Sequence, residues 1–342
     1  MTKSKYSIVA DKLKSDIRGG AYPNGTRLPS DHELMRQTGY SRHTVRQAIN
    51  LLEHEGLVYR VRGSGTYLRD AVRQQSTYNI AVVTTYIGEY IFPEILKGID
   101  GVLSQNGYAS MLYATYNRVE NERKILGELL TKPIDGIIVE GTKTALPNPN
   151  IDRYQTLQKQ GIPMVFINGY YPELHRIPHV VSDDRGGGKT ACRYLLDKGC
   201  RRIAGIFKSD DIQGHRRYAG YAEAMLEREL EIHDELVFWF TTENREDVLN
   251  TTLNRLNACD GVICYNDEIA LLIAKAVHAG NLHPLAIASF DHSTYASLSP
   301  EPVFSLDSPK ADIGSHAAEK LLDLLHSRHC TSAVLPWKDH EE

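Results

Sequence analysis

Cysteine is scarce in this chain, and the little there is excludes two classes at once. Cys192, Cys200, Cys259, Cys264 and Cys330 are odd in number and fit no zinc-ligand spacing. Neither a disulfide framework nor a metal site is therefore expected, and reduced thiols in a cytosolic protein are the plain reading. Long apolar runs are missing too: no stretch reaches the roughly 18 residues that a membrane helix requires. The start, Met1-Thr2-Lys3-Ser4-Lys5-Tyr6, carries no apolar segment ahead of a cleavage site. The expected location is cytoplasmic, with no membrane partner. Phosphate loops, nucleophile elbows and metal motifs are absent as well. Gly186-Gly187-Gly188-Lys189-Thr190 has the residue types of a phosphate loop without its spacing. Asp183/Asp184 and Asp210/Asp211 are adjacent carboxylate pairs, but neighbouring side chains rarely point into one site, so acid–base catalysis is not the expectation. The chain reads as a non-enzyme without a cofactor.

What is there is unevenly charged. Residues 1–76 hold 13 Lys and Arg against 7 Asp and Glu, and the other 266 hold 26 against 36. The net is +6 on the small part and −10 on the large one. A polyanion partner for the first part alone follows.

In that first part Ile8, Val9, Leu13 and Ile17 recur at helical spacing, and Gly19-Gly20 ends the run. Tyr22-Pro23-Asn24-Gly25 is a turn signal. Ser30 and Glu33 are spaced as a capping box for a second helix. Ser41 caps a third, whose Val45, Ala48, Ile49 and Leu52 make an inward stripe. That leaves Arg42, His43, Thr44, Arg46 and Gln47 near the helix start and on its open side. A helix whose N-terminal end enters a DNA major groove has this layout. Gly63-Ser64-Gly65 then joins two β-rich runs into a hairpin, with Arg60 and Arg62 alternating on one face. Arg can contact guanine bidentately and Gln prefers adenine, while Ser30 and helix-start amides suit phosphates. Two arginines at i,i+4 would by themselves be an ordinary solvated face. The hairpin, the caps and the charge asymmetry together decide for DNA.

These motifs stand in an order that resembles the GntR-type winged-helix domain. The marks are Gly25-Thr26-Arg27-Leu28-Pro29-Ser30, Ser41-Arg42-His43-Thr44-Val45-Arg46-Gln47-Ala48 and Gly63-Ser64-Gly65-Thr66, across residues 6–68. The resemblance implies DNA contacts from Arg27, Ser30, Glu33, Arg42, His43, Thr44, Arg46, Gln47 and Gly65. Arg60 and Arg62 on the hairpin join them as candidates.

Beyond a polar linker the rhythm changes. Short apolar runs at 80–84, 111–114, 136–140, 164–168, 180–182, 203–207, 237–240, 261–265, 285–290 and 303–306 alternate with helical segments. Alternation on this scale predicts parallel sheets in two lobes, with ligands bound beyond the carboxyl ends of the strands. The polar residues there include Glu140, Asn168, Asp183, Lys208, Asp210, Asn266 and Asp291. Carboxylates, amides and a lysine facing one cleft suit a polyhydroxylated ligand, whose hydroxyls both donate and accept. Tyr86, Tyr90 and Phe92 are placed to stack on the C–H face of a sugar ring. Each polar residue has a plain alternative. Asn266 and the 182–184 segment can cap helices, Glu140 can pair with Lys143, and Asp210 and Asp211 can sit in a solvated loop.

This region resembles the effector domain of the lactose/galactose repressor family, over residues 78–328. Its marks include Asp135-Gly136-Ile137-Ile138-Val139, Arg217-Tyr218-Ala219-Gly220-Tyr221, Tyr265-Asn266-Asp267-Glu268-Ile269-Ala270 and Phe290-Asp291. The resemblance implies ligand contacts from Arg217, Asp291 and Asn266. The 136–145 and 205–214 segments, including Lys208, Asp210 and Gln213, look like the arabinose-responsive repressors of Gram-positive bacteria. Gly141 departs from the proline expected there.

The expected plan is an α+β winged helix-turn-helix over residues 1–69, a linker at 70–77, and a two-lobed α/β periplasmic-binding-protein-like domain with parallel sheets over 78–342. The expected function is a sugar-responsive repressor that binds double-stranded operator DNA as a homodimer and is released by L-arabinose. The alternatives are another sugar, or an activator with the same fold. Ligand and DNA then antagonise each other reciprocally, and a hundredfold preference corresponds to roughly 2.7 kcal/mol of coupling.

Overall fold

The computed structural model describes residues 4–18, 21–22, 27–54, 57–61, 64–68 and 76–338. Gly19-Gly20, Pro23-Asn24-Gly25, Thr26, Arg62, Gly63 and linker residues 70–75 lie outside them. The chain divides into two compact units, Met1–Ser76 and Thr77–Glu342.

The first unit packs α1 (Lys5–Arg18), α2 (Asp31–Thr38) and α3 (Arg42–His54) with an antiparallel hairpin of β1 (Val58–Val61) and β2 (Gly65–Leu68). The capping box forms as the spacing predicts: the Ser30 hydroxyl accepts from the Glu33 amide and Glu33 accepts from the Ser30 amide. Val45, Ala48, Ile49 and Leu52 are at most 1% exposed and meet Val9, Leu13 and Leu34 in one core. Burying each large aliphatic is worth about 1.5–3 kcal/mol, so this stripe sets which face of α3 turns outward.

The second unit has two parallel sheets. The first lobe carries β3 (Asn79–Thr84), α4 (Phe92–Gln105), β4 (Ala109–Ala114), α5 (Val119–Leu129), β5 (Gly136–Glu140), α6 (Ile151–Lys159), β6 (Met164–Ile167) and β7 (His179–Ser182). The second carries α7 (Asp184–Asp197), β8 (Ile203–Lys208), α8 (Ile212–Glu227), β9 (Val237–Phe240), α9 (Arg245–Leu256), β10 (Gly261–Cys264), α10 (Asp267–His278), β11 (Ala286–Phe290), α11 (Thr294–Ser297) and β12 (Val303–Leu306). The chain then returns through α12 (Lys310–Leu325) and β13 (Ala333–Leu335) to the first lobe. The strand orders are β13-β7-β6-β5-β3-β4 and β12-β11-β10-β8-β9.

All ten strands expected from the apolar runs are present. They read as continuous apolar stretches because helices cover both faces of each sheet. In the first lobe α4 and α12 pack on one face and α5 and α6 on the other. In the second, α7 and α8 oppose α9 and α10. An eleventh strand, β13, was not expected from the sequence. It is three residues long, partly exposed and at a sheet edge, so it carries no apolar run to read. The chain passes between lobes after β7, after β12 and after β13, and Asp307 and Lys338 pair where the last two crossings meet. No helix among the described residues is long and apolar enough to cross a membrane.

Candidate functional site

On the first unit, burial of the α3 stripe leaves Arg42, His43, Arg46 and Gln47 exposed in one patch. Asp31, at the start of α2, gathers both arginines: its Oδ2 accepts from Arg46 Nε at 2.9 Å and lies 3.8 Å from Arg42 Nε. Such exposed pairs contribute little to stability. Their effect here is orientation, because engaging Nε leaves the two terminal nitrogens of Arg46 for a bidentate contact. Asp31 was not among the residues singled out from sequence; only its position beside Ser30 and Glu33 hinted at it. Ser30 and Glu33 serve the cap, and hydrogen bonds from Ser30 hold the Glu33 carboxyl below its ordinary range. Thr44 is tied to the cap Ser41 through its amide at 3.4 Å and its hydroxyl at 3.0 Å. Arg60 donates to Asn50 at 2.6 Å and fastens the hairpin to α3. Gly65 lies against Arg27, whose Nε would stand 2.5 Å from a Cβ placed there.

On the second unit, a cavity of about 640 Å³ opens between the lobes. Tyr86, Tyr90, Phe92, Glu140 and Asn168 line it from the first lobe. Lys208, Gln213, Arg217, Asn266 and Asp291 line it from the second. Most of these residues stand at or just past the carboxyl ends of β3, β5, β6, β8, β10 and β11, where the chain leaves each sheet.

Glu140 forms part of the floor. It accepts from the Thr85 amide at 2.8 Å and from Asn168 Nδ2 at 2.7 Å, and burial pushes its pKa up. Pairing with Lys143 does not occur; that lysine joins Glu243 at 2.5 Å. Asp211 accepts from Thr144 at 3.0 Å and Tyr265 at 2.9 Å. Burial alone would raise the Asp211 carboxyl, but Lys208 and these hydrogen bonds outweigh it and hold it below its ordinary value.

Arg217 is 2% exposed. Its Nε donates to Asp184 at 3.0 Å and its Nη1 to the Tyr265 carbonyl. The guanidinium lies 4.3 Å from the Phe290 ring centre and 5.0 Å from that of Trp337, geometry that favours a cation over aromatic faces. Burial lifts Asp184 to about 6 against the pull of Arg217, and its Oδ2 has no partner. Opposite, the Tyr90 hydroxyl donates to the Asp291 carboxylate, and burial raises that carboxyl too.

Two of the expected ligand residues do not line this cleft. Asp183 caps α7, accepting from the Gly186 amide at 3.0 Å. Asp210 is fully buried beside the cleft, where Asn117 and Thr242 each donate to it at 3.3 Å. In each case the adjacent aspartate does the nearer work, Asp184 on Arg217 and Asp211 on the cleft wall. Neither Asp210 nor Asp211 sits in a solvated loop. Asn266 both lines the cleft and caps α10, accepting from the Ile269 amide at 3.1 Å, so its two readings hold together. Thr85, Thr144, Tyr265 and Tyr295 also line the cavity. Thr85 stands in the strand-end pattern, whereas Thr144 arrives from a loop and Tyr295 from the short helix α11, neither with a local signal. At Gly141 a Cβ would stand 2.6 Å from the Thr144 methyl, which explains a glycine in place of the expected proline.

Bonds such as Thr144 to Asp211 and Asn117 to Thr242, at 2.6 Å, span the lobes. The cleft thus offers fixed acceptors, fixed donors and ring faces in a largely desolvated space. That arrangement suits a neutral ligand rich in hydroxyls.

Comparison with known proteins agrees with this anatomy. Residues 5–68 match the family described as bacterial regulatory proteins, gntR family, and residues 192–336 match the periplasmic binding protein-like domain. An arabinose metabolism transcriptional repressor of Halalkalibacterium halodurans is 37% identical, covering 94% of this chain and 90% of its own. A protein of the same description from Geobacillus stearothermophilus is 36% identical, covering 96% and 93%. Among solved structures, a transcriptional regulator CelR–cellobiose complex superposes with a TM-score of 0.68 at 23% identity, covering 87% of this chain and 90% of that one.

Proposed function

The chain belongs to the family of the arabinose metabolism transcriptional repressors, and from that premise we propose that it represses by binding operator DNA and is released by L-arabinose. The DNA is read by the exposed patch of α3, with Arg42 and Arg46 reaching bases and Ser30, Arg27 and the hairpin reaching backbone. The sugar enters the cleft, where Glu140, Asn168, Asp211, Arg217 and Asp291 meet its hydroxyls. The observation that carries this reading is the cleft itself: buried carboxylates, amides and a clamped arginine supplied by both lobes.

Ligand that bridges both lobes favours their closed arrangement only by binding it better than the open one. Two copies of the chain associate so that two α3 helices meet two half-sites, and a change in lobe angle spoils that spacing. The same linkage makes operator DNA weaken sugar binding by an equal factor. Fluorescence anisotropy of labelled operator, titrated with L-arabinose and then with other pentoses and hexoses, tests the reading. Release by L-arabinose alone is the expected result. Tight operator binding indifferent to that sugar would reject it.

A further inference from the structure

Lys310 opens α12 and is only 6% exposed. Its ammonium donates to the Asp291 carbonyl at 2.6 Å, to Asp307 Oδ1 at 2.9 Å and, at 3.4 Å, to the Ser308 carbonyl. A buried ammonium has three protons to satisfy, and these acceptors match them. The acceptors belong to different parts of the machine. Asp291 directly follows β11 and lines the cleft from the second lobe. Asp307 and Ser308 form the crossing that leads from β12 into α12. The body of α12 sits in the first lobe, with Ile313, Ala317 and Leu321 in its core. One side chain at the start of a first-lobe helix therefore holds both the cleft wall of the second lobe and a segment that crosses between the lobes.

The turn it holds is strained. Asp291 has φ 94° and His292 φ 40°, left-handed values at residues other than glycine. Such backbone persists only where its surroundings over-determine it. Here the pins come from one short stretch. The Asp291 amide donates to the Leu306 carbonyl at 2.7 Å and the His292 amide to Ser305 Oγ at 2.8 Å, while Lys310 takes the Asp291 carbonyl. Residues 305–310 thus fix the backbone from which the Asp291 carboxylate projects, while Tyr90 of the first lobe holds the carboxylate itself.

We propose that Lys310 is a positioning residue that ties the cleft wall at Asp291 to the crossing between the lobes, so that ligand occupancy and lobe angle become one variable. This rests on the reading that Asp291 meets the sugar. Lys310 touches neither sugar nor DNA; it acts through the turn.

The test uses the full chain carrying Lys310→Met, with Ser305→Ala as a second variant that loosens the same turn without altering a charge. Operator affinity is measured without sugar and at saturating L-arabinose, beside sugar affinity by calorimetry and the melting temperature. Lys310→Met is expected to bind operator without sugar within about twofold of wild type. Its ratio of operator affinities without and with saturating sugar is expected to fall about tenfold, a sizeable share of ordinary allosteric coupling. Ser305→Ala is expected to move the ratio the same way by less. A merely structural role would lower the melting temperature and leave the ratio at saturation unchanged, and that result overturns the proposal. If Lys310→Met does not fold, an unchanged ratio in Ser305→Ala overturns it instead. An Asp291→Asn variant with wild-type L-arabinose affinity would point to the other failure: the ligand assignment goes, and this inference with it.

Discussion

Replacing Arg217 by methionine separates two jobs of one side chain. The Arg217–Asp184 pair is 3.0 Å long with side chains 3% and 0% exposed. Removing one partner of a buried pair typically costs about 3–5 kcal/mol, because the other charge stays behind in a low dielectric. Asp184 has an escape. Burial already lifts its pKa to about 6 with Arg217 beside it. Without that cation it takes up a proton at neutral pH, which places the loss near the lower end, about 3 kcal/mol. Adding Asp184→Asn removes the ionisable group and should recover most of that stability. Neither variant should bind L-arabinose, and both should hold operator in its presence. Urea denaturation reads the first expectation; calorimetry and operator anisotropy read the second. The wild type supplies a pH control with a defined sign. Asp184 is ordinarily half-protonated at 3.8 when unfolded and at about 6 when folded. The folded state therefore binds the extra proton, and stability rises relative to Asp184→Asn as pH falls from above 6 toward 4. Arg217→Met as stable as wild type would refute the buried-pair reasoning. A double variant that binds L-arabinose with wild-type affinity would remove Arg217 from the ligand site.

Two further expectations concern the reader and the effector frame. Charge alone predicts that Asp31→Asn strengthens DNA binding; orientation of Arg46 predicts that it weakens operator binding by about 1–3 kcal/mol while random DNA is bound as well or better. Competition anisotropy gives the ratio, and an operator preference equal to wild type would dismiss the orienting role. At Gly188 a Cβ would stand 2.1 Å from the Arg217 carbonyl oxygen, and at Gly220 one would stand 2.0 Å from that of Arg185. Gly188→Ala should therefore push α7 off α8, lower stability by about 1–3 kcal/mol or more and weaken sugar binding. An unchanged melting temperature would show that the two helices can part without cost.

Much of this protein was decided locally and is legible in the chain. The capping box at Ser30 and Glu33, the α3 stripe and ten of the parallel strands follow from periodicities and caps that span a few residues each. They also place the polar residues at or just past the ends of most strands, which is why Glu140, Asn168, Lys208 and Asp291 could be named as cleft candidates, whereas Arg217, inside α8, was named only through the family resemblance. Tertiary packing decided what a one-residue step means. Asp183 and Asp184 look alike in sequence, as do Asp210 and Asp211, yet a turn of the backbone sends one of each pair to a cap or a buried bridge and the other to Arg217 or the cleft. It also decided partnerships with no local signature: Asp31 with Arg46, Tyr90 with Asp291, and Lys310 with the turn of Asp291. Hydrophobic periodicity encodes which face of an element turns inward, because burial acts on each residue separately. The chemistry of a site depends on which side chains meet across separations of up to 201 residues, and only the packed lobes bring those together.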